Sequence, residues 1–133
     1  MTEYDHASPL VLVVEDELEV LTTLTRQVRQ LLPHAVIVAA REGAGALIQV
    51  ADQTVDLAVV DYYLPGRGGA AIIAALKRHS PHVLTIVITA SPMTDVEQAL
   101  QLAGVDAILP KPFLLEELDY IIRNMFPDAR CEP

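Results

Sequence analysis

Five short apolar runs, each followed by a stretch of helical periodicity, constrain the fold of this chain most strongly. The runs cover residues 10–14, 35–40, 57–60, 83–88 and 107–109. Short runs rich in valine and isoleucine that alternate with helical patterns are typical of buried parallel strands. Crossovers between parallel strands are nearly always right-handed, so five such units predict an α/β domain with helices on both faces of one sheet. The common strand order for such a sheet is 2-1-3-4-5.

The segments between the runs predict the helices. Asp16 or Glu17 is expected to cap the first helix, which Pro33 ends. The second helix is predicted over residues 43–51, with an apolar face made of Ala44, Leu47, Ile48 and Ala51. Further helices are predicted over residues 70–79, 92–102 and 114–126. Gly66, Gly68 and Gly69 follow a proline and predict a turn, because they lack the pattern of a phosphate-cradling loop.

Polar residues stand where four of the apolar runs end. Glu15 and Asp16 follow the first run, Asp61 ends the third, Thr89 ends the fourth and Lys111 follows the fifth. The carboxyl ends of parallel strands line one crevice, where ligands bind. These side chains are therefore expected to converge, and clustered carboxylates need a cation or raised pKa values.

The residue types at this predicted edge suit phosphoryl chemistry. Two or three carboxylates offer the oxygen ligands that Mg²⁺ prefers, and Mn²⁺ is the alternative ion. An aspartate beside a divalent ion can act as a nucleophile toward a phosphoryl group. A threonine hydroxyl and a lysine ammonium are the donors that a bound phosphoryl group needs.

Four motifs together resemble the receiver domain of two-component response regulators over nearly the whole chain. They are Val13-Val14-Glu15-Asp16-Glu17, Val59-Val60-Asp61-Tyr62-Tyr63-Leu64-Pro65-Gly66, Ile88-Thr89-Ala90 and Leu109-Pro110-Lys111-Pro112-Phe113. Each motif is weak alone, but the four occur in order and at strand ends. The resemblance implies a flavodoxin-like, three-layer (βα)5 fold.

The resemblance also implies roles for the acidic residues. Asp61 matches the aspartate that accepts a phosphoryl group from a sensor histidine kinase or a phosphotransfer protein. Asp16 and Asp61 would bind Mg²⁺ directly, and Glu15 would assist. The backbone carbonyl of Tyr63 would be a further metal ligand.

The remaining motif residues would contact the phosphoryl group or transmit its effect. Thr89 would donate a hydrogen bond to the group, and Lys111 would pair with it and, beforehand, with Asp61. The Lys111–Pro112 peptide bond is expected to be cis. Ile108 occupies a position where the family usually has an aromatic switch residue, so the sequence departs from the pattern there.

Composition limits the domain organisation and the partners. The expected receiver domain spans residues 9–127, between tails over 1–8 and 128–133. The net charge of −9 disfavours nucleic acid and anionic membranes as partners. The single cysteine, Cys131, and the absence of a long apolar run predict a cytoplasmic protein. The resemblance places a partner surface, for a homodimer or an output domain, between Met93 and Phe126.

Three other functions compete with a phosphorylated receiver. A receiver-like scaffold that works without phosphate is mildly favoured by Ile108. An aspartate-nucleophile phosphatase usually needs Asp-x-Asp after the first strand, whereas Glu17 and Leu18 follow Asp16. A flavin-binding protein is disfavoured because the first loop is acidic. Arg26, Arg29 and Arg41 are expected on solvated faces.

Overall fold

The computed structural model describes residues 8–66, 68–90, 100–101 and 103–126. The strands are β1 (Leu10–Val14), β2 (Val36–Ala40), β3 (Leu57–Asp61), β4 (Leu84–Thr89) and β5 (Ala107–Pro110). They form one parallel sheet in the order β2-β1-β3-β4-β5, which confirms the predicted topology.

The helices with described bounds are α1 (Leu18–Leu31), α2 (Gly43–Gln49), α3 (Gly68–His79) and α4 (Leu115–Met125). Most of the helix predicted over residues 92–102 lies outside the described residues, as do most of the two tails. No helix within the described ranges is long and apolar enough to cross a membrane.

The core lies in two layers, one on each face of the sheet. Alternate residues of β1 point to opposite faces. Leu12 belongs to the cluster that includes residues of α2 and α3, and Val13 belongs to the cluster that includes residues of α1 and α4. All residues of β1 and β3 are buried, as expected for central strands covered on both faces. The result is the three-layer arrangement that the sequence predicts.

The start of α1 differs from the prediction. Glu17 is the N-cap residue, but its side chain makes no capping hydrogen bond. Instead, the backbone N–H of Glu17 donates to the carboxylate of Glu15, 3.1 Å away. The acidic loop after β1 is therefore organised around the buried Glu15 side chain.

The predicted apolar face of α2 is mostly wrong, because Ala44, Ile48 and Ala51 are exposed and Leu47 alone of the four packs against the core. Ile48 is 75% exposed, whereas Gly43 and Ala46 are buried. Gly43 lies so close to α3 that a Cβ atom there would approach Ile72 Cδ1 to 2.1 Å. The side of α2 that carries Gly43 and Ala46 therefore packs against the core, and Ile48 faces solvent.

Candidate functional site

The register of the sheet brings the predicted polar residues to one edge. Asp61 pairs with Ile88, and Thr89 pairs with Pro110, so β3, β4 and β5 end side by side. The last residues of β1 pair with residues near the end of β3. The segments that follow these four strands therefore leave the sheet at the same edge.

Three carboxylates meet at this edge, and they are called the acidic cluster here: Glu15, Asp16 and Asp61. Each contributes an oxygen that lies within 4.8 Å of the other two. Glu15 is fully buried, Asp61 is 6% exposed and Asp16 is half-buried. Hard oxygen donors this close together fit Mg²⁺ or Mn²⁺, and the half-buried Asp16 leaves a side open to water and phosphate.

Lys111 supplies the cation beside the acidic cluster. Its Nζ atom lies 3.2 Å from Glu15 Oε1 and 3.6 Å from Asp61 Oδ2. The backbone N–H of Lys111 donates to the carbonyl of Thr89, 2.8 Å away, and the Lys111–Pro112 bond is cis. Lys111 is therefore held between the buried carboxylate and the predicted phosphoacceptor.

The pKa values of both Glu15 and Lys111 are raised at this site. Burial raises the pKa of Glu15, and the nearby Asp61 charge raises it further against the opposing effects of the Glu17 N–H and Lys111. Burial alone would lower the pKa of Lys111, but the charges of Asp61 and Glu15 outweigh it and raise that pKa. Negative charge thus exceeds positive charge at the cluster, which favours a bound divalent cation.

The loop after β3 orients Asp61. The backbone N–H of Tyr63 donates to Asp61 Oδ1 at 3.2 Å. The Tyr62 N–H donates to the carbonyl of Ile88, and the Gly69 N–H donates to the carbonyl of Tyr62, each at 2.8 Å. These backbone bonds hold the loop against both β4 and the first turn of α3. The Tyr63 carbonyl stays a predicted metal ligand.

Thr89 and Ile108 lie on the neighbouring strands β4 and β5, as the sequence predicts. Thr89 is fully buried at the end of β4, and Ile108 is a half-buried residue of β5 opposite Val87. Ile108 packs against the core cluster on the α2 and α3 side of the sheet. An aliphatic side chain here cannot exchange a polar tip between buried and exposed positions.

Arg41 lies on a solvated face, as expected, and it also contacts the loop that carries Asp16. It is exposed, but its Nε and Nη2 atoms donate to the backbone carbonyl of Asp16 at 3.2 and 3.0 Å. The signal for this contact is positional, because Arg41 follows β2 directly and so leaves the sheet at the same edge as Asp16.

Comparison with known proteins identifies a family. The family model for the response regulator receiver domain matches residues 11–123. The transcriptional regulatory protein PrrA of Mycobacterium tuberculosis is 36% identical over 111 residues, which cover 84% of this chain and 47% of the relative. KdpE of the same organism is 30% identical over 108 residues, covering 81% and 46%. The chain thus spans about half the length of these curated relatives.

A solved structure agrees with the fold. The signal receiver domain of an HD domain-containing protein from Pseudomonas fluorescens has a TM-score of 0.81 and 24% identity to this chain. The match covers 94% of this chain and 99% of that domain. At this identity the likeness supports the flavodoxin-like fold rather than particular residue roles.

Proposed function

The chain belongs to the response regulator receiver domain family, and we propose that Asp61 is its phosphoacceptor. The observation that carries this proposal is the convergence of Asp61 with Glu15, Asp16 and Lys111 at the carboxyl edge of the sheet. Glu15 and Asp61 both lie beside Lys111, but Glu15 is fully buried, whereas Asp61 keeps 6% exposure at the end of β3. The Oδ1 atom of Asp61 accepts the Tyr63 N–H.

The proposed reaction is a phosphoryl transfer to a side-chain oxygen. One Asp61 oxygen attacks the phosphorus atom of the donor and forms a new P–O bond. The bond between phosphorus and the donor breaks, and the donor leaves with that electron pair, as imidazole from phosphohistidine or as acetate from acetyl phosphate. Water later attacks the phosphorus atom of the acyl phosphate, the P–O bond to Asp61 breaks, inorganic phosphate leaves and the Asp61 carboxylate is restored. The chain therefore modifies only its own side chain and is not a classical enzyme.

We assign the metal to Glu15, Asp16 and Asp61, with the Tyr63 carbonyl as a further ligand. When bound, Mg²⁺ or Mn²⁺ supplies positive charge that offsets the charge on the transferring oxygens. Lys111 contributes a second positive charge, and its Nζ atom already lies beside both Glu15 and Asp61. Thr89, at the end of the neighbouring strand, is assigned to donate to the phosphoryl group once it is formed.

Replacing Asp16 by asparagine is expected to stabilise the metal-free protein and to weaken its response to Mg²⁺. Within the described residues the Asp16 carboxylate makes no ion pair, so the change relieves repulsion without losing a partner. The Asp16 carboxylate, about 5 Å from two other negative charges in a partly hydrated site, destabilises the fold by about 1 kcal/mol. Removing its charge should therefore raise the Tm by roughly 4 °C. Thermal unfolding with and without Mg²⁺ measures both effects.

The matched control for this prediction is Glu17→Gln, one residue further along the same loop. Its side chain is exposed and lies outside the acidic cluster, so it removes the same charge without removing a ligand. Mg²⁺ at ten times its Kd should stabilise the wild type and this control by about 1.4 kcal/mol. Equal stabilisation of Asp16→Asn by Mg²⁺ would contradict the ligand assignment.

The phosphodonor is a histidine kinase or a phosphotransfer protein, as the family implies. We assign the surface that responds to phosphorylation to the stretch between Met93 and Phe126, for a second copy or an output domain. Its described part includes two exposed apolar side chains of the last helical segment, Leu114 and Tyr120. Cytoplasmic location belongs to this proposal, because the donor's kinase domain acts there.

The test of the proposed function is phosphorylation with acetyl phosphate and Mg²⁺, followed by intact mass and mapping of the label. We expect one labile acyl phosphate per chain on Asp61, and none when EDTA removes the metal. Continuous release of phosphate with no label accumulating on the chain would indicate a phosphatase instead. A label on another residue would contradict the site assignment.

A second candidate is a receiver-like scaffold that binds its partner without phosphate. Ile108 is the specific observation that favours it, because the aliphatic residue at this half-buried position lacks a polar tip. A chain that incorporates no phosphoryl group under the conditions above would support the scaffold. One that is labelled, and that changes its partner binding on labelling, would exclude it.

A further inference from the structure

Arg41 holds the backbone of the loop that carries Asp16. Its Nε and Nη2 atoms both donate to the Asp16 carbonyl, at 3.2 and 3.0 Å. These two nitrogens form one side of a rigid, planar guanidinium group, and a carbonyl oxygen has two lone pairs that can accept from them. Contact through both nitrogens therefore fixes the direction of the carbonyl as well as its distance.

The peptide unit between Asp16 and Glu17 is held at both of its polar groups. Arg41 binds its carbonyl, and its N–H, which belongs to Glu17, donates to Glu15 Oε2 at 3.1 Å. One residue earlier, the Glu15 N–H donates to the carbonyl of Ala40 at 3.1 Å, at the end of β2. The backbone is thus fixed just before and just after the Asp16 side chain.

The direction of the Asp16 carboxylate depends on this backbone. Asp16 is half-buried, and within the described residues its carboxylate makes no ion pair. Groups that orient the ligands of a metal commonly change its affinity by roughly ten- to a hundredfold when they are removed. Arg41 is exposed, so a smaller effect in the same direction is expected.

We propose that Arg41 is a positioning residue for the metal: it fixes the Asp16–Glu17 peptide and so directs the Asp16 carboxylate toward the cation. The proposal rests on the assignment of Asp16 as a metal ligand under the proposed function. It gives Arg41 no contact with the metal or with the phosphoryl group.

The charge of Arg41 acts in the opposite direction from its hydrogen bonds. A guanidinium group near the acidic cluster repels a divalent cation. On charge alone, removing it should tighten metal binding by about threefold. The sign of the change in affinity therefore separates positioning from simple electrostatics.

Binding of Mn²⁺, measured from the EPR signal of the free ion, tests the proposal. Arg41→Met keeps the aliphatic part of the side chain and removes the guanidinium, so binding should weaken by about fivefold. Arg41→Lys keeps the charge and one donor group, and its affinity should lie between those of Arg41→Met and the wild type. Arg29→Met is the control, because Arg29 is exposed in the last turn of α1, at the other end of the helix from Asp16.

Two further measurements separate positioning from a general loss of stability or of reactivity. In metal-free Arg41→Met, the Glu17 N–H should exchange with solvent about threefold faster, while the amides of β1 and β3 keep their wild-type rates. At saturating Mg²⁺, the rate of labelling by acetyl phosphate should return to the wild-type value, because Arg41 does not touch the reacting atoms.

Equal or tighter binding of Mn²⁺ by Arg41→Met would overturn the proposal, and so would an unchanged exchange rate at Glu17. A wild type that binds no Mn²⁺ would overturn the assignment of Asp16 as a ligand together with this proposal. A wild type that binds Mn²⁺ with the expected dependence on Arg41, but takes no label, would contradict only the role of Asp61.

Discussion

Replacing Asp61 by asparagine is expected to reduce phosphoryl incorporation by about a hundredfold or more, because the change removes the nucleophile itself. The fold should survive, since an asparagine carbonyl can still accept the Tyr63 N–H that Asp61 Oδ1 accepts at 3.2 Å. Lys111 also keeps its contact with Glu15 at 3.2 Å. Loss of the label in a folded variant would therefore report on chemistry rather than on unfolding. Intact mass after treatment with acetyl phosphate and Mg²⁺ measures it.

Asp52→Asn is the matched control for this experiment. Asp52 is an exposed residue between α2 and β3, at the opposite edge of the sheet from the acidic cluster. Its substitution removes one carboxylate and should leave the amount of label unchanged. Thermal unfolding of both variants verifies that each is folded. Undiminished labelling of Asp61→Asn would show that a different side chain accepts the phosphoryl group.

Replacing Gly69 by alanine is expected to destabilise the protein by about 2–3 kcal/mol and to lower its Tm by roughly 10 °C. A Cβ atom at Gly69 would lie 2.6 Å from the carbonyl oxygen of Asp61 and 2.7 Å from the Cα atom of Tyr62. These are backbone atoms, so a change of rotamer cannot relieve the clash. The first turn of α3 and the end of β3 at Asp61 must move apart, which should also slow phosphorylation. Thermal unfolding and the labelling rate measure the two effects.

Gly45→Ala provides the opposite case within the same fold. A Cβ atom at Gly45 would contact only Glu42 Cγ, at an ordinary 3.6 Å. Gly45 lies inside α2, where alanine is a better helix former, so this variant should gain about 0.5–1 kcal/mol. The assignment of Gly69 as a site of close backbone approach would fail if both variants changed stability in the same direction.

Much of the candidate site could be predicted because each of its residues lies at the end of a strand or just after it. Once five parallel strands are recognised, topology alone requires their carboxyl ends to share an edge. Asp61 and Lys111 are 50 positions apart, yet the sheet brings their charged atoms to 3.6 Å. The prediction needed the strand ends only, and those are visible as the boundary between apolar and polar residues.

The glycines and the second helix resisted prediction for a different reason. Gly66 and Gly68 have positive φ values, which agree with the predicted turn. Gly69 was interpreted as part of the same turn, but a glycine is needed there because a side chain would clash with backbone atoms of Asp61 and Tyr62. The exposure of Ile48 likewise accompanies the close packing of Gly43 against Ile72. Hydrophobic periodicity contains no information about how closely two backbones approach.

The amino-acid sequence by itself determined the alternation of strands and helices, the edge at which the chemistry lies and the residue types that meet there. These follow from local patterns and from the few topologies open to parallel strands. Only the tertiary structure decided how the charged groups are arranged. Glu15 is the fully buried acid and the one that Lys111 approaches most closely, and Arg41 donates to the Asp16 carbonyl. Such choices depend on ångström-scale packing between segments distant in the chain, because burial and charge–charge energies change steeply over those distances.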